Sequence, residues 1–89
     1  MRVLLKATSN SELGFYDKSV VNNYIQKLKS IRATKEEYTD SFGDKFWYIY
    51  VEIKDLYDIN LIQKVFDEEL IIDLRGEKPF IEVYDNYRE

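Results

Sequence analysis

The sequence predicts an α+β fold in which two helices lie on one face of an antiparallel sheet. Three patterns point there. Apolar residues recur at three- and four-residue steps from Val20 to Ile31, which marks one buried stripe of a helix. The run Phe46-Trp47-Tyr48-Ile49-Tyr50-Val51-Glu52-Ile53 is filled with aromatic and β-branched residues, the types that pack well on a pleated surface. Around these two elements, strand and helix signals alternate along the 89 residues.

Taken in order, Arg2-Val3-Leu4-Leu5-Lys6-Ala7 is a short apolar run that stops at Thr8-Ser9-Asn10, a strand followed by a loop. Gly14 marks a turn in an otherwise aperiodic stretch. Asp17 then stands as an N-cap, because its short acceptor side chain satisfies first-turn amides. Val20, Val21, Tyr24, Ile25, Leu28 and Ile31 place a helix over about residues 18–31, with Lys27, Lys29 and Arg32 where cations suit the dipole. Residues 35–40 and 45–54 read as a hairpin across Ser41-Phe42-Gly43-Asp44. Asp55 caps a second helix, with Asp58 imitating a capping box, and Leu56, Ile59, Ile62, Val65 and Phe66 carry helical spacing to about Asp67. Leu70-Ile71-Ile72-Asp73-Leu74 reads as a buried-type strand. A turn over 75–79 leads to a last alternating strand over 80–84. The order is β-α-β-β-α-β with an extra C-terminal strand. This is the split βαβ, or ferredoxin-like, arrangement, expected as one domain over 1–89.

Composition bounds the function. Hydrophobic residues at 45% and charged residues at 34% describe a globular chain, neither disordered nor fibrous. There is no Cys and no His, which excludes disulfide staples, zinc fingers and imidazole-activated nucleophiles. The glycines stand singly at 14, 43 and 76, so no Gly-rich phosphate loop exists. The carboxylates Asp67-Glu68-Glu69 with Asp73 match no EF-hand spacing and read as a solvated helix end. No metal or cofactor is expected, and no catalytic residue can be assigned. No apolar run approaches the roughly 20 residues of a bilayer span, and Met1–Ala7 is too short for a signal peptide, so a cytoplasmic chain is expected. The net charge is −4, made of +2 over residues 1–45 and −6 over 46–89, a hint of one acidic face.

The unusual feature is 16% aromatic residues, among them eight Tyr and five Phe. Side chains alternate across a strand. Parity therefore sends Trp47, Ile49, Val51 and Ile53 toward the helices and Phe46, Tyr48, Tyr50 and Glu52 toward the open side. The same sorting sends Ile81 and Val83 inward and Phe80, Glu82 and Tyr84 outward, and Tyr38 joins the outward set. The open face thus collects Tyr38, Phe46, Tyr48, Tyr50, Phe80 and Tyr84. Such residues can simply cover one another by cross-strand pairing. Alternatively they form a contact surface, since Tyr supplies large amphipathic area at low entropic cost. The contact reading is favoured, with a protein partner or a second copy (a homodimer) as occupant.

Aromatics on an open sheet also raise an RRM-like nucleic-acid reading. The segment Asp44-Lys45-Phe46-Trp47-Tyr48-Ile49 departs from that signature. Lys45 stands in the Gly position, bulky Trp47 in the small one, and Leu4 replaces the aromatic expected on the first strand. Arg2, Lys6 and Lys45 can make a small local basic patch, but the chain as a whole is acidic, so nucleic acid is the runner-up. A small-ligand or metal-dependent enzyme comes third.

The succession Trp47-x-Tyr-x-Tyr-Val51-Glu52-Ile53, Asp55-Leu56, Leu70-Ile71-Ile72 and Ile81-Glu82-Val83-Tyr84-Asp85-x-Tyr87-Arg88-Glu89 resembles small uncharacterised proteins of Gram-positive bacteria and their phages. The resemblance covers the C-terminal half. It implies a setting, a prophage or mobile-element accessory protein that binds a host protein, and no catalytic residues.

Overall fold

The computed structural model describes residues 1–7, 14–66 and 70–83. Along the chain these form β1 (Arg2–Ala7), α1 (Lys18–Lys27), a 3-10 turn (Lys29–Ile31), β2 (Thr34–Thr39), β3 (Lys45–Glu52), α2 (Leu56–Phe66), β4 (Ile71–Asp73) and β5 (Phe80–Val83).

Local chemistry accounts for the element ends. The Asp17 carboxylate accepts from the Ser19 and Val20 amides at 3.0 and 3.4 Å and from the Ser19 hydroxyl at 2.7 Å. The Ser19 hydroxyl is the main reason the Asp17 carboxyl sits below the usual carboxylate range. The α1 stripe continues to Ile31 as expected, but its last turn tightens to 3-10 and stops at Arg32, which takes a left-handed φ of 55°. At α2, Asp55 accepts from the Tyr57 and Asp58 amides, and Asp58 reaches back to the Lys54 amide at 2.7 Å. That contact falls one residue before the cap residue whose amide a capping box would satisfy.

The β2–β3 hairpin turns on Asp40. Its backbone carbonyl accepts from Gly43 at 3.1 Å, and its carboxylate accepts from the Phe42 and Asp44 amides, each at 2.9 Å. Gly43 follows with φ 86°, the left-handed residue that closes a three-residue hairpin loop. These amides, Asp44 first, hold the Asp40 carboxyl below its ordinary range, aided by the Tyr16 hydroxyl. Because the folded value is depressed, the stability this charge contributes is complete above the unfolded-state value of about 4. It is lost as pH falls through the lower folded value. Asp40→Asn should therefore show a shallower fall in melting temperature than wild type between about pH 5 and about pH 2. Parallel pH profiles would contradict this role for Asp40.

The five strands form one sheet in the order β2-β3-β1-β5-β4. β1 pairs antiparallel with β3, β2 with β3, and β4 with β5, but β1 pairs parallel with β5. The sheet is mixed, which corrects the expected antiparallel, ferredoxin-like arrangement. In that arrangement the strand after α2 would lie beside β1. Here α2 delivers the chain to the far edge as β4, and the return over 74–79 brings β5 between β4 and β1. Pro79 starts the parallel ladder by accepting from the Leu4 amide at 3.1 Å.

Burial explains the exchange. Ile81 and Val83 of β5 are fully buried, as an interior strand requires, whereas Ile71 and Ile72 of β4 are 57% and 45% exposed. Within the run 70–74 only Ile71–Asp73 form a strand, and it is an edge strand, not the buried type its composition suggests.

The odd-numbered residues Val3, Leu5 and Ala7 of β1, Trp47, Ile49 and Val51 of β3, and Ile81 and Val83 of β5 share one core with Val21 and Tyr24 of α1, Leu28 at its C-cap, and Ile62 and Phe66 of α2. Tyr24 and Phe66 bring the two helices together, with ring centroids 4.4 Å apart. Both helices therefore pack on this face of the sheet, as the sequence predicted. Among the described residues no helix is long and apolar enough to cross a membrane.

Candidate contact surface on the open sheet face

The other face is built from the alternate residues, and register decides which side chains meet. Thr34, Glu36 and Tyr38 of β2 stand opposite Tyr50, Tyr48 and Phe46 of β3. Leu4 stands between Tyr50 on one side and Phe80 on the other. Beyond the Phe80 strand, Ile71 and Asp73 are opposite Glu82 and Phe80. Tyr38, Phe46, Tyr48, Tyr50 and Phe80 thus share one face, as parity predicted. Tyr84 lies outside the described residues.

The rings form two groups. At one end Tyr38 stacks on Phe46 at 5.6 Å, and Tyr48 sits edge-on to Tyr38 and Phe46 at 5.1 and 5.4 Å. Tyr16 packs on Phe46 from the remaining side at 5.6 Å. At the other end the rings carry cations. The Arg2 guanidinium lies 5.2 Å from the Tyr50 centroid, and the Lys6 ammonium 3.9 Å from the Phe80 centroid.

Phe46 departs from expectation. It points to the open side yet is only 8% exposed, while Tyr38 is 40% exposed. The segment Gly14-Phe15-Tyr16 covers it. Phe15 pairs with Trp47 through two backbone hydrogen bonds of 2.8 and 2.9 Å, continuing the edge of β3 that β1 leaves free. This brings Gly14 so close to the Phe46 ring that an added Cβ would lie 2.5 Å from Cδ2. Phe46 is therefore the floor of the surface and does not offer its own ring for contact.

Between the two ring groups runs an open groove of about 440 Å³, bordered by Leu4, Lys6, Tyr48, Tyr50 and Lys78, with Tyr38 and Phe46 at its aromatic end. It continues past Leu4, Tyr50 and Lys78 into a second hollow of about 320 Å³ edged by Arg2, Glu77 and Pro79. Leu4, Tyr16 and Lys78 were not identified as site residues from the sequence. Lys78 lies in a turn, where no parity rule places a side chain, and Leu4 in the sequence is an ordinary aliphatic strand residue with no mark of a site. Lys45, grouped with Arg2 and Lys6 by charge, belongs to the opposite parity set and pairs with Glu37 at 3.7 Å.

Glu36 shapes the aromatic end. Its carboxylate accepts from the Tyr38 hydroxyl at 2.6 Å, and this bond, which favours the protonated phenol, pushes the Tyr38 pKa up to about 12. Burial, with Glu36 nearby, raises Tyr50 as well. Both phenols are therefore neutral hydrogen-bonding groups at physiological pH. Comparison of the chain with models of protein families, with curated proteins and with solved structures finds no match.

Proposed function

We propose that this protein is a non-enzymatic interaction module whose contact surface is the open sheet face. The observation that carries the reading is that the helices leave uncovered a face holding Tyr38, Tyr48, Tyr50 and Phe80 around Leu4. The half-buried Tyr48 and Tyr50 rings supply apolar area, and their hydroxyls hydrogen-bonding capacity, at little entropic cost, which suits a protein partner. A second copy of the chain is the simplest such partner, because it would add burial to a small core. The resemblance to small phage and Gram-positive proteins favours a cytoplasmic accessory role in which a host protein takes the same place.

The test is the double substitution Tyr48→Ser/Tyr50→Ser. Wild type should sediment as a dimer or retain a host protein on an affinity column, and the variant should lose whichever association is seen. Unchanged association state and unchanged capture, with melting preserved, would refute the contact reading.

A further inference from the structure

The charges around the groove oppose those of the molecule as a whole. The chain carries a net −4, yet the two joined hollows are bordered by three cations, Arg2, Lys6 and Lys78, and one carboxylate, Glu77. Arg2 is engaged by Glu52 at 3.9 Å. Among the described residues, Lys6 and Lys78 have no carboxylate within ion-pair distance, although Glu82 is the register partner of Lys6. The Lys6 ammonium is instead held over the Phe80 ring. A cation placed there is partly desolvated by an apolar neighbour and fixed in position, so it loses little further freedom on meeting an anion.

We propose that the groove receives a carboxylate-bearing segment of a partner protein. Its acidic side chains would meet Lys6 and Lys78, and its apolar side chains would lie on Leu4 and the Tyr48 ring. The inference rests on the contact reading above and names the chemistry of the partner. Charge complementarity selects an acidic peptide over a neutral one.

The ring arrangement also selects it over nucleic acid. Single-stranded nucleic acid needs open aromatic faces for successive bases. Here Arg2 lies over Tyr50, Lys6 lies over Phe80, and Tyr38 and Phe46 are stacked on each other. A polyanion long enough to span the face would also meet Glu36, Glu52 and Glu82 on the same side of the sheet.

The experiment measures fluorescence anisotropy with three labelled probes: a short synthetic peptide of Glu and Leu, its counterpart with Gln for every Glu, and a uridine oligonucleotide. The Glu peptide should bind, weaken with added salt, and lose about tenfold in affinity in Lys6→Gln/Lys78→Gln. It should be unaffected by Lys27→Gln/Lys29→Gln, which removes the same charge at the end of α1. The Gln peptide should bind at least about tenfold more weakly.

Equal binding of the two peptides, equal losses in the two lysine pairs, or no binding of the Glu peptide would overturn the proposal. Tighter binding of the oligonucleotide would overturn it in favour of nucleic acid. Should the carboxylate preference fail while Tyr48→Ser/Tyr50→Ser still abolishes dimerisation or binding of the Gln peptide, the contact reading stands without it. If no probe binds and the chain is monomeric and captures nothing, both readings fall.

Discussion

Ile49→Ala should remove about 2–5 kcal/mol of stability, whereas Ile72→Ala should cost less than about 1 kcal/mol. Both delete the same atoms from an isoleucine in a strand. Ile49 lies in β3, paired on both sides, and is fully buried, so truncation leaves a cavity that the helices cannot collapse into. Ile72 lies on the edge strand and is 45% exposed, so water already reaches the atoms that would be removed. A chain of this length has roughly 4–13 kcal/mol in total, so the first variant gives up a large share of it. Urea unfolding followed by Trp47 emission measures both. The comparison also tests the topology. Were β4 beside β1, as a ferredoxin-like order would have it, the two costs would be similar.

Gly14→Ala should destabilise by about 1–3 kcal/mol, although the same change at a roomy site commonly stabilises by restricting the unfolded chain. The new Cβ would lie 2.5 Å from Phe46 Cδ2, and the ring cannot retreat freely because Tyr16, Tyr38 and Tyr48 surround it. Either the Phe15–Trp47 pairing stretches or Phe46 swings out onto the open face. Urea denaturation gives the cost, and a shift in Trp47 emission reports the first route. A neutral or stabilised variant would show that Phe46 is less confined than its neighbours indicate.

Much of the architecture is legible in the sequence. The Val20–Ile31 stripe, the Asp17 and Asp55 caps and the hairpin around Gly43 are governed by contacts within a few residues, which a linear pattern encodes directly. The sorting of Tyr48 from Ile49 is equally local, because strand parity follows from backbone geometry alone. Three things were not legible. The place of β5 was hidden because two strands joined by a short turn can dock in either order, and only the comparison of burial at Ile81 with Ile72 separates them. The burial of Phe46 is hidden because a segment distant in sequence folds over it. The position of Lys78 at the groove is hidden because turn residues have no face until the strands around them are placed.

The amino-acid order alone therefore settled which elements form and which side of β3 and β5 is apolar, since short-range sterics and hydrogen bonding carry that information. It also singled out the aromatic residues as the part of the molecule in need of explanation. Only the tertiary structure decided how those residues combine. Bringing β5 in parallel beside β1 set Lys6 over Phe80 and Lys78 at the groove, so a row of rings became a basic groove on an acidic chain. That juxtaposition depends on strand pairing across some seventy-five residues of sequence, a distance over which loop closure and shared burial, not local propensity, choose the partner.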